Sequence, residues 1–434
     1  MSQRRRRTLI ALAPLALAAG LAAPAAAQLL PRLPLPNVGG VIGDVQSALP
    51  IQTPDLGGLT NLVDLRRLRI QTLIREHPRE IDVDEQGDAV VRGEVLVVSP
   101  SPQSLEIARK LGFQIARQES LDGLDVTLVT LATPPGMNAR QAVKRLRKAD
   151  PSGQYDYDHI YTEAGAAGPS VEQSAGGSGG SSKVRIGLVD TGADATHPAL
   201  AGPHIEQRGF APGGVHPAAH GTATASLLAG RGGAFHGAAP GASLLVADVY
   251  GTGPTGGSAA AVVRGLAWMA QEHVPVVNVS LVGPPNASLE AVVKALSAQG
   301  TLIVAAVGND GPAAPPLYPA SYPQVVSVTG VDGRGRVLME AGRAKHIDFA
   351  APGADMAAAN PDSRYGAVRG TSFASPIVAG KLAELIDGRG PGAAQAAVSA
   401  LSRQAKDLGP KGPDKIYGHG LVGEDVRVSP KSLR

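Results

Sequence analysis

Three short segments of the chain carry an acid, an imidazole and a hydroxyl, the groups that nucleophilic acyl transfer requires. Asp190 ends an apolar run, His220 precedes Gly-Thr and a series of small residues, and Ser372 lies in Gly-Thr-Ser-Phe-Ala-Ser-Pro. A serine hydroxyl is a weak nucleophile near neutral pH and needs a base such as histidine, whose pKa lies near the working pH. The imidazole in turn needs a carboxylate that fixes its tautomer and stabilises its charged form. We therefore predict that Asp190 orients His220 and that His220 activates Ser372.

A fourth segment supplies an amide that can stabilise the charge developing on the attacked carbonyl. Asn309 follows a predicted strand at residues 302–306, in the sequence Val-Gly-Asn-Asp-Gly. The backbone N–H of Ser372, at the start of a predicted helix, is a second donor for the same oxyanion. Loss of one such donor typically lowers turnover on the order of 10² to 10³-fold.

The elements around these residues predict an α/β domain at residues 183–426. Strands are predicted at 184–189, 244–249, 276–279, 302–306 and 325–328, and helices at 220–228, 258–271 and 289–299. Near-continuous apolar strands separated by helices indicate a mostly parallel sheet with helices on both faces. Open sheets of this kind place functional groups at the carboxyl ends of their strands, where Asp190 and Asn309 lie.

The four segments resemble the motifs of the subtilisin-like serine protease family. Asp190, His220 and Ser372 match its triad in the family's order, and Asn309 matches its oxyanion asparagine. The resemblance covers nearly all of residues 183–426 and implies a serine endopeptidase that hydrolyses polypeptides through an acyl-enzyme. No cofactor is expected for this chemistry. Structural calcium, common in the family, stays open because the sequence shows no convincing calcium loop.

The resemblance also implies a substrate strand. Its residues are Ser280, Leu281, Val282 and Gly283. Substrate is expected to pair with this segment as an added strand, with backbone hydrogen bonds supplying affinity and side-chain pockets supplying preference. Val282 stands where the family often has glycine, so we expect its side chain to narrow the pocket for the residue before the scissile bond. Asp310 and the proline-rich residues 312–319 are expected to shape the same pocket.

The region before this domain, residues 61–162, resembles the family's propeptide. A helix near residues 62–76 is followed by elements in the order βαββαβ, which predicts a small α+β ferredoxin-like domain. Such a propeptide assists folding and inhibits the enzyme until it is removed. Residues 158–162 are then expected to lie in the active-site groove, with autoprocessing between Ile160 and Ser182.

The N-terminus predicts export. Arg4 to Arg7 precede an apolar stretch at residues 9–21, which is short for a membrane span, and Ala25 to Ala27 supply the small residues of a cleavage site. We therefore predict a signal peptide at 1–27, with a membrane anchor as the alternative. A Pro/Gly-rich tether (28–60), a flexible Gly/Ser linker (163–182) and a C-terminal tail (427–434) complete the organisation. The absence of cysteine suits a bacterial-type protein that is secreted or periplasmic.

The overall charge argues against two classes of partner. A net charge of +3 argues against a main role on nucleic acid or on a membrane surface, and we expect no stable membrane insertion after signal removal. The partners that the family resemblance implies are polypeptide substrates and the chain's own propeptide as an intramolecular inhibitor. Two other functions stay open, an exported binding scaffold that kept the fold but lost activity, and an esterase or transpeptidase that uses the same groups.

Overall fold

The first part of the chain is a helix followed by a small antiparallel sheet. The computed structural model describes residues 62–172, 184–361 and 363–433; the predicted signal peptide, the tether and residues 173–182 of the predicted linker lie outside the described residues. In chain order this part contains α1 (Leu62–Glu76), β1 (Ile81–Val83), β2 (Ala89–Val98), α2 (Pro102–Lys110), β3 (Gln114–Leu121), β4 (Val126–Ala132), α3 (Ala139–Ala149), β5 (Tyr155–His159), β6 (Thr162–Glu163) and β7 (Ala166–Glu172).

The succession from β2 to β5 has the predicted ferredoxin-like order. β2 pairs antiparallel with β1, β4 and β5, and β4 pairs with β3. Helix α3 starts at a capping box formed by Asn138 and Gln141, which satisfies backbone donors of its first turn. Its Ala142, Val143 and Leu146 are fully buried in the core of this domain, because spacings of three and four residues place them on one helix face.

The second part of the chain contains the larger sheet. Its strands are β8 (Arg185–Asp190), β9 (Ile205–Gly209), β10 (Arg231–Gly232), β11 (Phe235–His236), β12 (Ser243–Asp248), β13 (Val276–Val279), β14 (Leu281–Val282), β15 (Leu302–Ala306), β16 (Val326–Val331), β17 (Phe349–Pro352), β18 (Met356–Asn360) and β19 (Arg364–Arg369). Its α-helices are α4 (Ala219–Ala229), α5 (Ala259–Gln271), α6 (Ala287–Ala298), α7 (Thr371–Leu385) and α8 (Pro391–Gln404). Seven strands form one parallel sheet in the order β17-β16-β15-β13-β8-β12-β9.

Helices cover both faces of this sheet. Ile186 and Leu188 of β8 belong to the apolar core shared with α4 and α7. Val189 belongs to the core shared with α5 and α6 on the opposite face, as the two-residue period of a strand requires. Because neither face meets water, the strands are apolar along their length. The predicted α/β class is confirmed.

One strand and the C-terminal tail differ in extent from the sequence reading. The strand predicted at residues 325–328 runs through Val331, because it pairs with β15 on one side and β17 on the other. The tail packs onto the domain: Val428 and Leu433 are buried, and the Val428 carbonyl accepts a hydrogen bond from the Ala357 N–H. The tail therefore belongs to the core of the larger domain.

Two strands also lie within the segment that the sequence predicts as a flexible linker. β6 pairs antiparallel with β14, and β7 pairs antiparallel with β19. Both hold their extended form through backbone hydrogen bonds to strands of the larger domain, a kind of pairing that side-chain composition does not reveal. The chain between the two domains is thus bound along the larger one.

Candidate active site

The three predicted catalytic residues come from the ends of three different elements. Asp190 is the last residue of β8, His220 lies in the first turn of α4, and Ser372 is the second residue of α7. Gly370, before α7, has a φ of 138°, and a Cβ there would lie 2.7 Å from the Asn309 Nδ2. Only glycine therefore fits at the point where the chain turns into this helix.

Asp190 and His220 form a buried pair. The His220 Nδ1–H donates to Asp190 Oδ1 over 2.8 Å, and both side chains are almost fully buried. Asp190 also accepts from the Thr191 N–H at 2.7 Å and from the Thr224 hydroxyl at 3.1 Å. With both of its oxygens engaged, the carboxylate holds one orientation of the imidazole and leaves Nε2 to act on other groups.

The charge of this imidazole depends on a third carboxylate. Burial opposes the charged form, but Asp190 and Glu163 outweigh it and raise the pKa of His220 to about 9. Glu163 belongs to β6, and burial raises its own pKa above the usual range. While β6 is in place, His220 is therefore mostly protonated at neutral pH.

The two atoms between which a proton would pass are both buried. Neither His220 Nε2 nor Ser372 Oγ has a hydrogen-bond partner among the described residues. The His220 ring lies beside Phe373, with 5.4 Å between ring centroids, so α4 and α7 bring the imidazole next to the segment that carries the hydroxyl. Unsatisfied buried polar atoms are rare in folded proteins, and proton transfer between these two atoms would explain why neither has another partner.

Asn309 and the Ser372 N–H meet at one carbonyl oxygen, that of Ala164. The Ser372 N–H donates to it over 3.0 Å, and the Asn309 side-chain amide donates to it as well. The other end of that amide is fixed, because Asn309 Oδ1 accepts from the Thr371 N–H at 3.0 Å. The Thr371 hydroxyl accepts from the Gly308 N–H at 3.1 Å, so the donors are held in place before any charge develops.

The chain leading to Ala164 lies between two segments of the larger domain. Across β6 and β14, Glu163 is opposite Leu281 and Thr162 is opposite Val282. The Ala164 N–H donates to the Ser280 carbonyl over 3.2 Å. The segment is thus an added strand of the kind that the sequence predicts for a substrate.

On its other side this strand is bound by the end of the glycine-rich loop before α5. The Tyr161 N–H donates to the Gly257 carbonyl over 2.8 Å. Gly283 takes a different part: its N–H and carbonyl pair with Tyr318 at 3.0 and 2.9 Å. A Cβ on Gly283 would lie 2.6 Å from the Tyr161 ring, so Gly283 provides space for that ring. The backbone pairing with β6 is made by Leu281 and Val282.

The Ser280 side chain turns inward. Its hydroxyl donates to the Ser372 carbonyl over 2.9 Å and accepts from the Asn278 amide at 2.8 Å. These bonds tie the end of β13 to the first turn of α7, and so couple the position of the substrate strand to that of Ser372.

Beyond Ala164 the chain passes directly over Ser372. A Cβ on Gly165 would lie 2.9 Å from Ser372 Oγ and 2.8 Å from the Phe373 ring, so a larger residue would collide with the Ser372 side chain. β7 then continues antiparallel to β19, with Ala166 opposite Arg369. The Ala164–Gly165 peptide is therefore held by strand pairing on both sides, with its carbonyl on the predicted oxyanion donors.

Comparison with known proteins identifies the family. Residues 181–420 match the family model described as the subtilase family. The chain belongs to the subtilase family. It is a serine endopeptidase, because it matches subtilisins over most of their length. Subtilisin E of Bacillus subtilis (strain 168) is 33% identical over 306 residues, which are 65% of this chain and 77% of that protein. Subtilisin Savinase of Lederbergia lenta is 33% identical over 257 residues, 56% of this chain and 90% of the relative.

A solved structure shares the subtilase fold. Fervidolysin from Fervidobacterium pennivorans, described as a keratinolytic enzyme related to subtilisin, aligns with a TM-score of 0.64 at 20% identity. The alignment covers 80% of this chain and 62% of that chain. At this identity the likeness shows the fold alone. The aligned part of this chain is longer than residues 181–420, which match the family model.

Some functional residues of this subtilase escape sequence reasoning. Thr224 was absent from the predicted site, although its position four residues after His220 places it on the same helix face. Thr371 is part of the serine motif, but its contacts with Gly308 and Asn309 depend on the fold. Within residues 62–172, 184–361 and 363–433, no group of three or more His, Asp or Glu side chains is arranged to hold a metal ion. None of the helices in those ranges combines the length and apolarity needed to cross a membrane.

Proposed function

We propose that this chain is the zymogen of an exported serine endopeptidase that cuts its own Ala164–Gly165 bond. The N-terminal domain would then remain bound as an inhibitor until it is degraded or dissociates. The observation that carries the proposal is the Ala164 carbonyl, which accepts hydrogen bonds from both the Ser372 N–H and the Asn309 amide. Export is supported by the sequence of residues 1–27 alone.

The geometry suggests the course of the reaction. Ser372 Oγ attacks the Ala164 carbonyl carbon while its proton passes to His220 Nε2, and Asp190 stabilises the imidazolium. The carbonyl oxygen becomes an oxyanion that Asn309 and the Ser372 N–H stabilise. The C–N bond breaks as His220 gives the proton to the departing amine of Gly165. Water, deprotonated by His220, then hydrolyses the ester between Ala164 and Ser372 and leaves a carboxylate on Ala164.

Contacts outside the groove support retention of the N-terminal domain after the cut. The Asp158 carboxylate accepts from the Ala260 N–H in the first turn of α5 over 2.9 Å. The Asp156 carboxylate accepts from the Ala287 N–H at the start of α6 over 2.7 Å. Both bonds satisfy otherwise unpaired donors at a helix N-terminus.

Helix α1 adds a further contact to the inhibitor. Arg66 lies 2.8 Å from Asp310 of the larger domain and 3.3 Å from Asp88 of its own domain. Asp310 directly follows Asn309, so this ion pair lies next to the oxyanion donors. Cleavage of one peptide bond leaves all of these contacts in place, and the product is therefore expected to stay bound.

The test is to follow processing of the full-length precursor and of its Ser372→Ala variant, purified in parallel. The unchanged chain should yield a new N-terminus at Gly165 by mass spectrometry, and the variant should remain intact. Ser402→Ala, on the distant helix α8, is the matched control and should process normally. A mature N-terminus at another residue, or processing of purified Ser372→Ala protein, would overturn the proposal.

Two further assays address the functions that the sequence leaves open. A serine-directed fluorophosphonate should label Ser372 in the processed protein, and absence of an adduct would favour a binding scaffold. Hydrolysis of matched peptide and ester substrates should show peptide cleavage, whereas ester cleavage alone would favour an esterase. Both assays use the mature protein after removal of the N-terminal domain.

A further inference from the structure

We propose that the pocket for the residue before the scissile bond accepts only alanine-sized side chains, because Val282 and Leu317 fill it. This inference rests on the proposed cleavage at Ala164. The Ala164 side chain is 1% exposed and lies in a separate apolar cluster of the structure. The members of that cluster are Ala164, Val282, Ala306 and Leu317.

Three different segments supply the wall around Ala164. Val282 comes from the substrate strand β14, Ala306 ends β15, and Leu317 belongs to the proline-rich stretch before Tyr318. Val282 and Leu317 are 3% and 6% exposed. Since these two side chains pack with Ala164 itself, the space that a longer side chain would need is already occupied by protein.

Leu317 reaches the backbone at the base of this pocket. A Cβ built on Gly308 would lie 2.8 Å from Leu317 Cδ1 and 3.6 Å from a γ-methyl of Val282. Gly308 directly precedes Asn309, so the leucine packs against the backbone that carries the oxyanion amide. Even one added methyl on that wall would meet Leu317, which shows how closely the pocket is filled.

Neither side chain is free to move aside. The residues that follow them, Gly283 and Tyr318, are joined by two backbone hydrogen bonds of 3.0 and 2.9 Å. The Leu317 carbonyl accepts from the Ser321 N–H at 3.1 Å. These bonds fix the backbone, so the chain cannot shift to widen the pocket, and rotation of the Leu317 side chain out of the cluster would expose it. Well-packed apolar sites resist added volume.

The substrate class follows from this geometry. Peptides with alanine, glycine or serine before the cut fit without rearrangement, whereas leucine and phenylalanine require Leu317 or Val282 to be displaced. One methylene too many in an apolar pocket commonly changes kcat/KM by about 10- to 200-fold. We expect the mature enzyme to prefer alanine over leucine or phenylalanine by at least about 10²-fold in kcat/KM.

The direct test uses mature enzyme and peptides built on the chain's own sequence, Tyr-Thr-Glu-X-Gly, with X as alanine, valine, leucine or phenylalanine. Alanine should give the highest kcat/KM. In the Val282→Gly variant the leucine-to-alanine ratio of kcat/KM should rise by about tenfold or more, while Ile416→Ala, an exposed position, should leave the ratio unchanged. Equal use of leucine and alanine by the unchanged enzyme would overturn the inference.

A second test needs no separate peptide and guards against variants that fold poorly. Ala164→Leu should make the precursor accumulate uncut, and Ala164→Ser should process normally. Adding Val282→Gly to Ala164→Leu should restore cutting after residue 164, which a merely unstable precursor would not do. Failure of this rescue would remove the pocket argument. If no peptide is cut in a Ser372-dependent manner, the proposed function fails instead.

Discussion

The part of the chain that the structure describes contains two buried aspartate–histidine pairs, and they differ in what the second ring nitrogen meets. His220 Nδ1 lies 2.8 Å from Asp190, and His159 Nε2 lies 3.3 Å from Asp84. The second nitrogen of His159 is 3.1 Å from the amide nitrogen of Asn286. The second nitrogen of His220 has no partner among the described residues. A buried histidine with both nitrogens satisfied is a structural link, whereas one with an unsatisfied nitrogen is available for proton transfer.

The positions of the two pairs agree with this division. His220 lies in α4 of the larger domain, next to the serine helix. His159 ends β5 of the N-terminal domain, and its partner Asn286 caps α6 of the larger domain. Asn286 also donates to the Tyr157 carbonyl over 2.8 Å. The His159 pair therefore joins the N-terminal domain to the larger domain, and in the proposed reaction the His220 pair acts on the bond between them.

The largest effect expected from this comparison concerns the two histidines. His220→Gln should lower peptide turnover by at least about 10⁴-fold, because His220 is the base that takes up the Ser372 proton in the proposed reaction. His159→Gln should leave the turnover of mature enzyme unchanged, since residue 159 departs with the N-terminal domain. It should instead weaken inhibition by the separated N-terminal domain by about tenfold, the usual range for one buried hydrogen bond.

The matching measurements are kcat of the mature enzyme and the inhibition constant of the isolated N-terminal domain. Circular dichroism of each variant provides the control for folding. If His159→Gln abolished self-cleavage in a folded precursor, the two pairs could not be separated into chemical and structural roles.

The two carboxylates provide a second, smaller contrast. Asp190→Asn should reduce turnover about 10⁴-fold, because an amide neither stabilises the imidazolium nor enforces the tautomer. Asp84→Asn should affect docking alone, since an amide oxygen can still accept from the Gln86 and Asp88 N–H groups that Asp84 Oδ1 now binds. Self-cleavage of each precursor is the measurement, together with inhibition of the mature enzyme by the separated N-terminal domain. A comparable loss of self-cleavage in both folded variants would contradict the division.

Much of this arrangement could be predicted from sequence. The triad residues sit in short motifs whose chemistry is local, and the strands that carry them are apolar runs with clear ends. The order of elements in the N-terminal domain was readable for the same reason, since α3 has an apolar stripe and a capping sequence. Local pattern was sufficient wherever one segment determines its own conformation.

Contacts between distant segments were harder to predict. Residues 163–172 are mostly Ala, Gly and Ser, so the sequence indicates a linker, yet backbone pairing with β14 and β19 places them largely in two strands. Leu317 is one leucine in a proline-rich loop, and nothing local shows that it packs against Ala164. His159 was no candidate because both of its partners are more than 70 residues away along the chain. Tertiary packing determines all three.

The smallest expected effect concerns pH and the residue next to the scissile bond. Glu163, together with Asp190, raises the pKa of His220 to about 9 against the effect of burial. The imidazole must be neutral to accept the Ser372 proton, so self-cleavage should be slow at neutral pH and should rise as the pH increases through about 9. Glu163→Gln removes one carboxylate, lowers the pKa of His220 and should move this rise to lower pH.

Docking of the N-terminal domain is favoured at the lower pH values, where His220 is protonated. A histidine whose pKa is higher in the docked precursor than in the free enzyme binds a proton on docking, so the contribution is complete below the free pKa and is lost as the pH rises through about 9. At pH 7 the variant should process roughly threefold to tenfold faster, because each pKa unit changes the neutral fraction tenfold. Rates of precursor loss between pH 6 and 10 give the pH profile of self-cleavage and the rate at pH 7. Thr162→Ser is the control on the same strand. An unchanged pH profile in Glu163→Gln would mean that the aspartate of the pair alone determines the charge of His220.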